Sequence, residues 1–299
     1  MITIFSAPSN LGLRPPELGS VPGTCKAPEA LREAGLFRRL LAGGAIDGGV
    51  VLPGRYVDDD SSRAAGQVRN ETALVDHARR LGRRIAGVIA DGRAPLVIGG
   101  DCSLILGAGL ALPGGTGLVH IDGHTDFRHP GNSDQCASVA GEDLAAAVGE
   151  HWPAVADIDG LGPYFSPAQT VHIGCRDDDE HLDEVRRSLG LALPARESIE
   201  IGMPDAAQAA RAVTGNASYW LHLDVDVLDP LFMPAVDSPD PGGLNPNQLV
   251  ELLTELAPTA IGAQVTVFDP DLDPDGRYAA LVVDILATGL ADLGRQVHP

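Results

Sequence analysis

Short apolar runs rich in valine and isoleucine recur along the chain, at 2–5, 50–52, 96–98, 117–121, 170–173, 219–223 and 260–268. Between them, the stretches 73–89, 140–148, 181–189, 205–213, 247–256 and 279–290 read as helices. Buried strands alternating with helices are the rhythm of an α/β protein, so the pattern predicts a mostly parallel sheet of about eight strands with helices on both faces. Its crossovers are expected to be right-handed. Residues 15–22 and 129–141 read as long loops, and with neither a repeat nor a dividing linker the expectation is one domain over 1–299.

Ligands in such sheets collect at the carboxyl ends of the strands. Asp122, Gly123, His124, Thr125 and Asp126 follow the run 117–121, and alternation puts three ligand-capable side chains on one side of that extended segment. Asp224, Val225 and Asp226 follow 219–223 with the same spacing, and Gly99, Gly100, Asp101, Cys102 and Ser103 follow 96–98. Each fragment alone could simply cap the next turn or helix. Together they gather at least four carboxylates, which repel one another unless a cation neutralises them. The pattern therefore predicts a metal site of Asp122, His124, Asp126, Asp224 and Asp226, with Cys102 in the remaining ligand position. Carboxylates with one imidazole suit divalent ions such as manganese, and carboxylates from different strands could bridge a pair of ions that hold a hydroxide at neutral pH.

Charge narrows the partners. Asp and Glu number 41 against 21 Lys and Arg, a formal charge of −20 with no basic block to offset it. Nucleic acid and anionic membrane surfaces are thereby excluded, while a cationic small molecule is permitted. The opening apolar run is short and lacks a basic flank, so it reads as neither a signal peptide nor an anchor. Cys25, Cys102, Cys136 and Cys175 lie far apart, with no CxxC pair, and the expectation is a cytoplasmic protein.

The segments 99–103, 122–126 and 224–226 resemble the ureohydrolase superfamily of arginases, agmatinases, guanidinobutyrases and formimidoylglutamases. Its pattern is Gly-Gly-Asp-His-Ser, then Asp-Ala-His-x-Asp, then Asp-x-Asp. The resemblance continues through 173–177, 237–244 and 269–273. It implies a three-layer α/β/α arginase-like sandwich, two divalent metal ions, manganese foremost, and a homo-oligomer, trimer or hexamer. It further implies attack of a metal-bridging hydroxide on a linear C–N bond of a guanidino, N-hydroxyguanidino or formimidoyl compound. By position, Cys102, Asp122, Asp126 and Asp224 would hold one ion and Asp122, His124, Asp224 and Asp226 the other. Two other readings stand beside this one: a metal-binding paralogue with little catalysis, acting as a sensor or assembly partner, and an amide deacetylase-like hydrolase.

The chain departs from the family pattern at informative places. Cys102 replaces the usual histidine, and a thiolate prefers softer ions, so zinc or iron(II) becomes an alternative to manganese and one ion is expected to bind more loosely than the other. Ala140 stands where arginases carry a proton-shuttling histidine, which leaves Glu142, beside Asp126, as the candidate catalytic group, with His129 and Asp134 as neighbouring alternatives. Val267, or Thr266 if the register shifts, occupies the place of the glutamate that pairs with a guanidinium in arginases. Asp179 is the candidate to hold a substrate amino group, Asn132 and Ser133 are candidates for its other polar atoms, and Arg176 is expected to pair within its loop or with a neighbouring subunit. His120 and His222 each precede a metal motif by two residues and read as partners beneath the ligands or packed core histidines, not as ligands.

Overall fold

The computed structural model describes residues 1–112, 114–215 and 218–297. Its strands are β1 (Ile2–Ala7), β2 (Ile46–Val50), β3 (Ala94–Gly99), β4 (Gly117–Ile121), β5 (Thr170–Ile173), β6 (Leu191–Leu193), β7 (Tyr219–Asp224) and β8 (Ala260–Thr266). They form one sheet in the order β2-β1-β3-β8-β7-β4-β5-β6, and every neighbouring pair is parallel. The helices are α1 (Ala27–Glu33), α2 (Leu36–Ala42), α3 (Glu71–Ala90), α4 (Leu104–Ala111), α5 (Asp143–Ala147), α6 (Pro153–Ala156), α7 (Leu182–Ser188), α8 (Ala195–Ile201), α9 (Met203–Thr214), α10 (Pro246–Leu256) and α11 (Arg277–Gly289). Two hydrophobic cores lie on the two faces of the sheet: one gathers Ile4, Ile98, Val119 and Leu221 under α9, α10 and α11, the other Phe5, Val97, Leu118 and Trp220 under α3 and α4. Among the described residues, no helix is long and apolar enough to cross a membrane.

The apolar pattern locates the central strands well because both of their faces are covered, and β1, β3, β4, β5, β7 and β8 are buried throughout. The edges were harder. Strand β2 lies at 46–50, not 50–52, because its Asp47-Gly48-Gly49 centre is not apolar, and β6 is only three residues, of which Ala192 alone is buried, too short to make a distinct run. Helix α4 is apolar around its whole circumference, so it carries no amphipathic stripe to read. The last run stops short of 268, since Val267 takes a φ of 69°, outside strand geometry.

One sheet face is layered along the strand direction, and this layering positions the site. Trp220 and Leu118 pair in register, and Gly262 lies opposite Trp220, where a Cβ would meet the indole at 2.5 Å. One step up, His172, His120, His222 and Gln264 stand in a row across β5, β4, β7 and β8. The next step carries Asp122 just beyond β4, and Asp224 beside Thr266. A polar row is thus buried between an apolar layer and the acidic strand ends.

Candidate metal centre

The acidic motifs converge because adjacent parallel strands end together. Asp122, Asp224 and Asp226 are almost fully buried, and Cys102 is wholly buried. Local backbone bonds fix the carboxylates: His124 N–H donates to Asp122 Oδ1 (2.7 Å), Asp226 N–H to Asp224 Oδ1 (2.8 Å), and Gly123 N–H to Asp226 Oδ1 (2.9 Å). The Cys102 loop approaches through Gly100, where a Cβ would sit 1.6 Å from the Ser9 carbonyl oxygen, so only glycine fits. Cys102 Sγ donates to Asp224 Oδ2 (2.8 Å) and lies 3.2 Å from Thr266 Oγ1. His124 bridges Asp226 Oδ2 (Nδ1, 2.9 Å) and Asp240 Oδ2 (Nε2, 3.2 Å).

Burial and mutual repulsion push the carboxyls of Asp122, Asp126, Asp143 and Asp224 well above the usual carboxylate range. Burial would do the same to Asp226, but the His124 hydrogen bond and charge hold it below that range, and the same contact lifts His124 to about 11 against its own burial. Burial, then Asp224, raises the Cys102 thiol. Asp122 Oδ2 is buried without a hydrogen-bond partner. Two overlapping groups, Cys102–Asp122–His222–Asp224 and Asp122–His124–Asp226, each bring one possible ligand atom per residue within 4.8 Å of one another. This donor set fits divalent cations: hard oxygens, two imidazoles and one thiol, with excess negative charge that a cation would relieve.

Asp126 lies outside both groups. Its φ is 46°, and its carboxyl feels the repulsion of Asp143 at the start of α5. Asp143 was not singled out from the sequence; as the first residue of a helix it resembles an ordinary helix-start acid. Its surroundings set it apart, since it is fully buried and its Oδ1 lies 3.4 Å from His120 Nε2.

A cavity of about 410 Å³ opens above the ligands and is lined by His124, Asp126, Asp224 and Asp226 together with Asp178, Asp179, Glu180, Asp237, Asp240 and Val267. Asp179 sits in this lining, with Oδ2 accepting from Thr125 N–H (2.9 Å) and Oδ1 from the Thr125 hydroxyl (2.6 Å). Val267 faces the cavity, whereas Thr266 turns to Cys102. Asn132, Ser133 and Glu142 are not in the lining. Asn132 donates to Phe127 O and Glu184 Oε2, Ser133 Oγ accepts from Gln135 N–H, and Glu142 is clamped by Ala137 N–H, Ser138 N–H and His151 Nε2 at 2.8 to 3.0 Å. Arg176 donates to the carbonyls of Asp226 (2.9 Å) and Asp240 (2.6 Å), with a longer contact to Gly174 O in its own loop (3.4 Å), and pins the cavity wall. Asp237 and Asp240 were missed as site residues; their signal was the acidic, proline- and glycine-rich stretch 237–243, which falls within the family resemblance at 237–244.

Known proteins share this architecture. The model of the arginase family matches residues 2–291. The arginase of Bacillus caldovelox is 29% identical over 298 residues, covering 96% of this chain and 97% of its own. Its native structure at pH 5.6 superposes with a TM-score of 0.84 at 26% identity, covering 97% of each chain. A guanidinopropionase of Pseudomonas aeruginosa is 31% identical over 222 residues, 70% of this chain and 64% of that protein.

Proposed function

The chain belongs to the arginase family, and from that premise we propose that it is a metal-dependent hydrolase of a linear C–N bond in a guanidino, N-hydroxyguanidino or formimidoyl compound. The observation that carries the reading is the pair of overlapping ligand groups sharing Asp122 at the floor of an acidic cavity. Cys102, Asp122, Asp126 and Asp224 would hold one divalent ion and Asp122, His124, Asp224 and Asp226 the other. Manganese is the first candidate, and the Cys102 thiolate tilts its position toward zinc or iron(II). When bound, such ions lower the pKa of water toward neutrality and so supply the hydrolytic nucleophile.

The residues around the centre would do the rest. Asp178, Asp179, Asp237 and Asp240 surround the cavity with negative charge and draw in a cationic or amidine-containing small molecule. Val267 offers no charge to a guanidinium, so recognition of the cationic end passes to the aspartates of the wall. Burial pushes the Asp143 carboxyl well above the usual carboxylate range, so it would keep a proton beside the reacting centre. Glu142 would contribute at one remove, by holding the 137–142 loop that carries Ala140 and Gly141 to the cavity.

Release of urea or ammonia across a panel of guanidino, N-hydroxyguanidino and formimidoyl compounds, with added manganese, zinc or iron(II), tests this reading. Turnover of at least one compound that Asp224→Asn abolishes is the expected result. Silence across the panel from metal-loaded protein would favour the non-catalytic paralogue, and release of acetate from acetylated amines would favour the deacetylase reading.

A further inference from the structure

We propose that His222 is a positioning residue of the metal centre: a hydrogen-bond donor aimed at Asp122, fixed in that role by Gln264 and Trp220. The proposal rests on the metal-centre reading above. By distance alone His222 would be a ligand, since it groups with Cys102, Asp122 and Asp224. Its hydrogen bonds assign it differently.

The Trp220 indole can only donate, and its Nε1–H reaches Gln264 Oε1 at 3.0 Å. That contact fixes the orientation of the amide, so the NH2 of Gln264 faces His222 Nδ1 at 2.9 Å. Nδ1 therefore accepts, and the ring proton sits on Nε2. A nitrogen that carries its proton has no lone pair for a metal, whereas a ligating histidine would donate from its other nitrogen. His222 Nε2 and Asp122 Oδ2 are both buried, both lack a hydrogen-bond partner, and face one another at 3.9 Å. The gap exceeds a hydrogen bond and closes if the carboxylate turns toward the ring. His120 stacks on His222 with centroids 4.4 Å apart and planes 1° from parallel, which holds the ring in place. The same stacking rules out one ion shared by His120, His222 and Asp143, because in-plane lone pairs of parallel rings do not converge.

Cobalt(II) titration of the metal-free full-length chain, followed by absorption and by metal stoichiometry, tests the assignment. His222→Leu removes the donor and is expected to weaken cobalt affinity about 10- to 100-fold with the stoichiometry unchanged. His222→Gln restores a donor of similar reach and is expected to recover most of that loss. Gln264→Glu can accept from both Trp220 and Nδ1, which moves the ring proton to Nδ1 and frees Nε2, so the cobalt spectrum is expected to change as a nitrogen joins the coordination. Thermal unfolding checks that each variant folds; should His222→Leu not fold, His222→Gln and Gln264→Glu decide the matter. Wild-type affinity in His222→Leu, the loss of one ion in both the Leu and Gln variants, or an unchanged spectrum in Gln264→Glu would each overturn the donor role and leave the metal centre standing. Failure of the wild-type chain to bind cobalt would instead overturn the metal-centre reading, and this inference with it.

Discussion

Cys102 Sγ lies 2.8 Å from Asp224 Oδ2 and is wholly buried, so a metal held there would meet a thiolate. Cys102→Ala is expected to lower the metal content of protein purified without chelator, and an unchanged content would reject ligation. Cys102→His is expected to raise manganese affinity relative to zinc, read by competition titration. At the cavity wall, Asp237→Asn is expected to raise KM for a cationic substrate about tenfold or more, the scale of a charged hydrogen bond, with a smaller effect on kcat; an unchanged KM would remove Asp237 from recognition. The convergence of Asp122, His124, Asp224 and Asp226 was legible from sequence because alternation along a strand end is a local property, whereas the left-handed φ of Asp126 takes it out of that alternation. Asp143, His172 and Gln264 were not legible, because their partners come from other elements: His172 Nδ1 meets His120 Nδ1 at 3.0 Å only through the register of β5 on β4.

At the scale of elements, the row of histidines across β5, β4 and β7 exacts a cost in acid. Burial, reinforced by His120, holds His172 at about 3, against about 6.5 in an unfolded chain. A depressed histidine contributes stability that is fully present above pH ~6.5 and is lost as pH falls toward the folded value. His172→Val is therefore expected to flatten the acid limb of stability between pH ~6.5 and ~5; parallel urea-unfolding curves for variant and wild type would contradict it. Helix α10 offers a simpler case. Asn245 and Gln248 form a reciprocal capping box ahead of Pro246, and Asn245→Ala is expected to cost about 1 kcal/mol in equilibrium unfolding. Helix α10 was readable to within one residue from 247–256, whereas α1 and α2, packed through Leu31, Leu36 and Phe37, were not, because their short apolar faces merge with the loops around them.

For the whole molecule, the cluster of buried carboxylates exists only in the folded state and so favours cation binding to that state. Ligand linkage then stabilises the fold by about 2.7 kcal/mol at a free metal concentration of 100 Kd. Chelation is expected to lower Tm by several degrees and added manganese or zinc to restore it. A Tm indifferent to chelator would argue against a resident ion. The central claim is the pair of ions sharing Asp122 and Asp224, and anomalous diffraction at the manganese, iron and zinc edges from crystals of protein purified without chelator tests it most directly. The account predicts two peaks per chain, one beside Cys102 and one beside His124, both in contact with Asp122. A site devoid of anomalous signal after soaking in all three metals, or a single ion remote from Asp122, would contradict it.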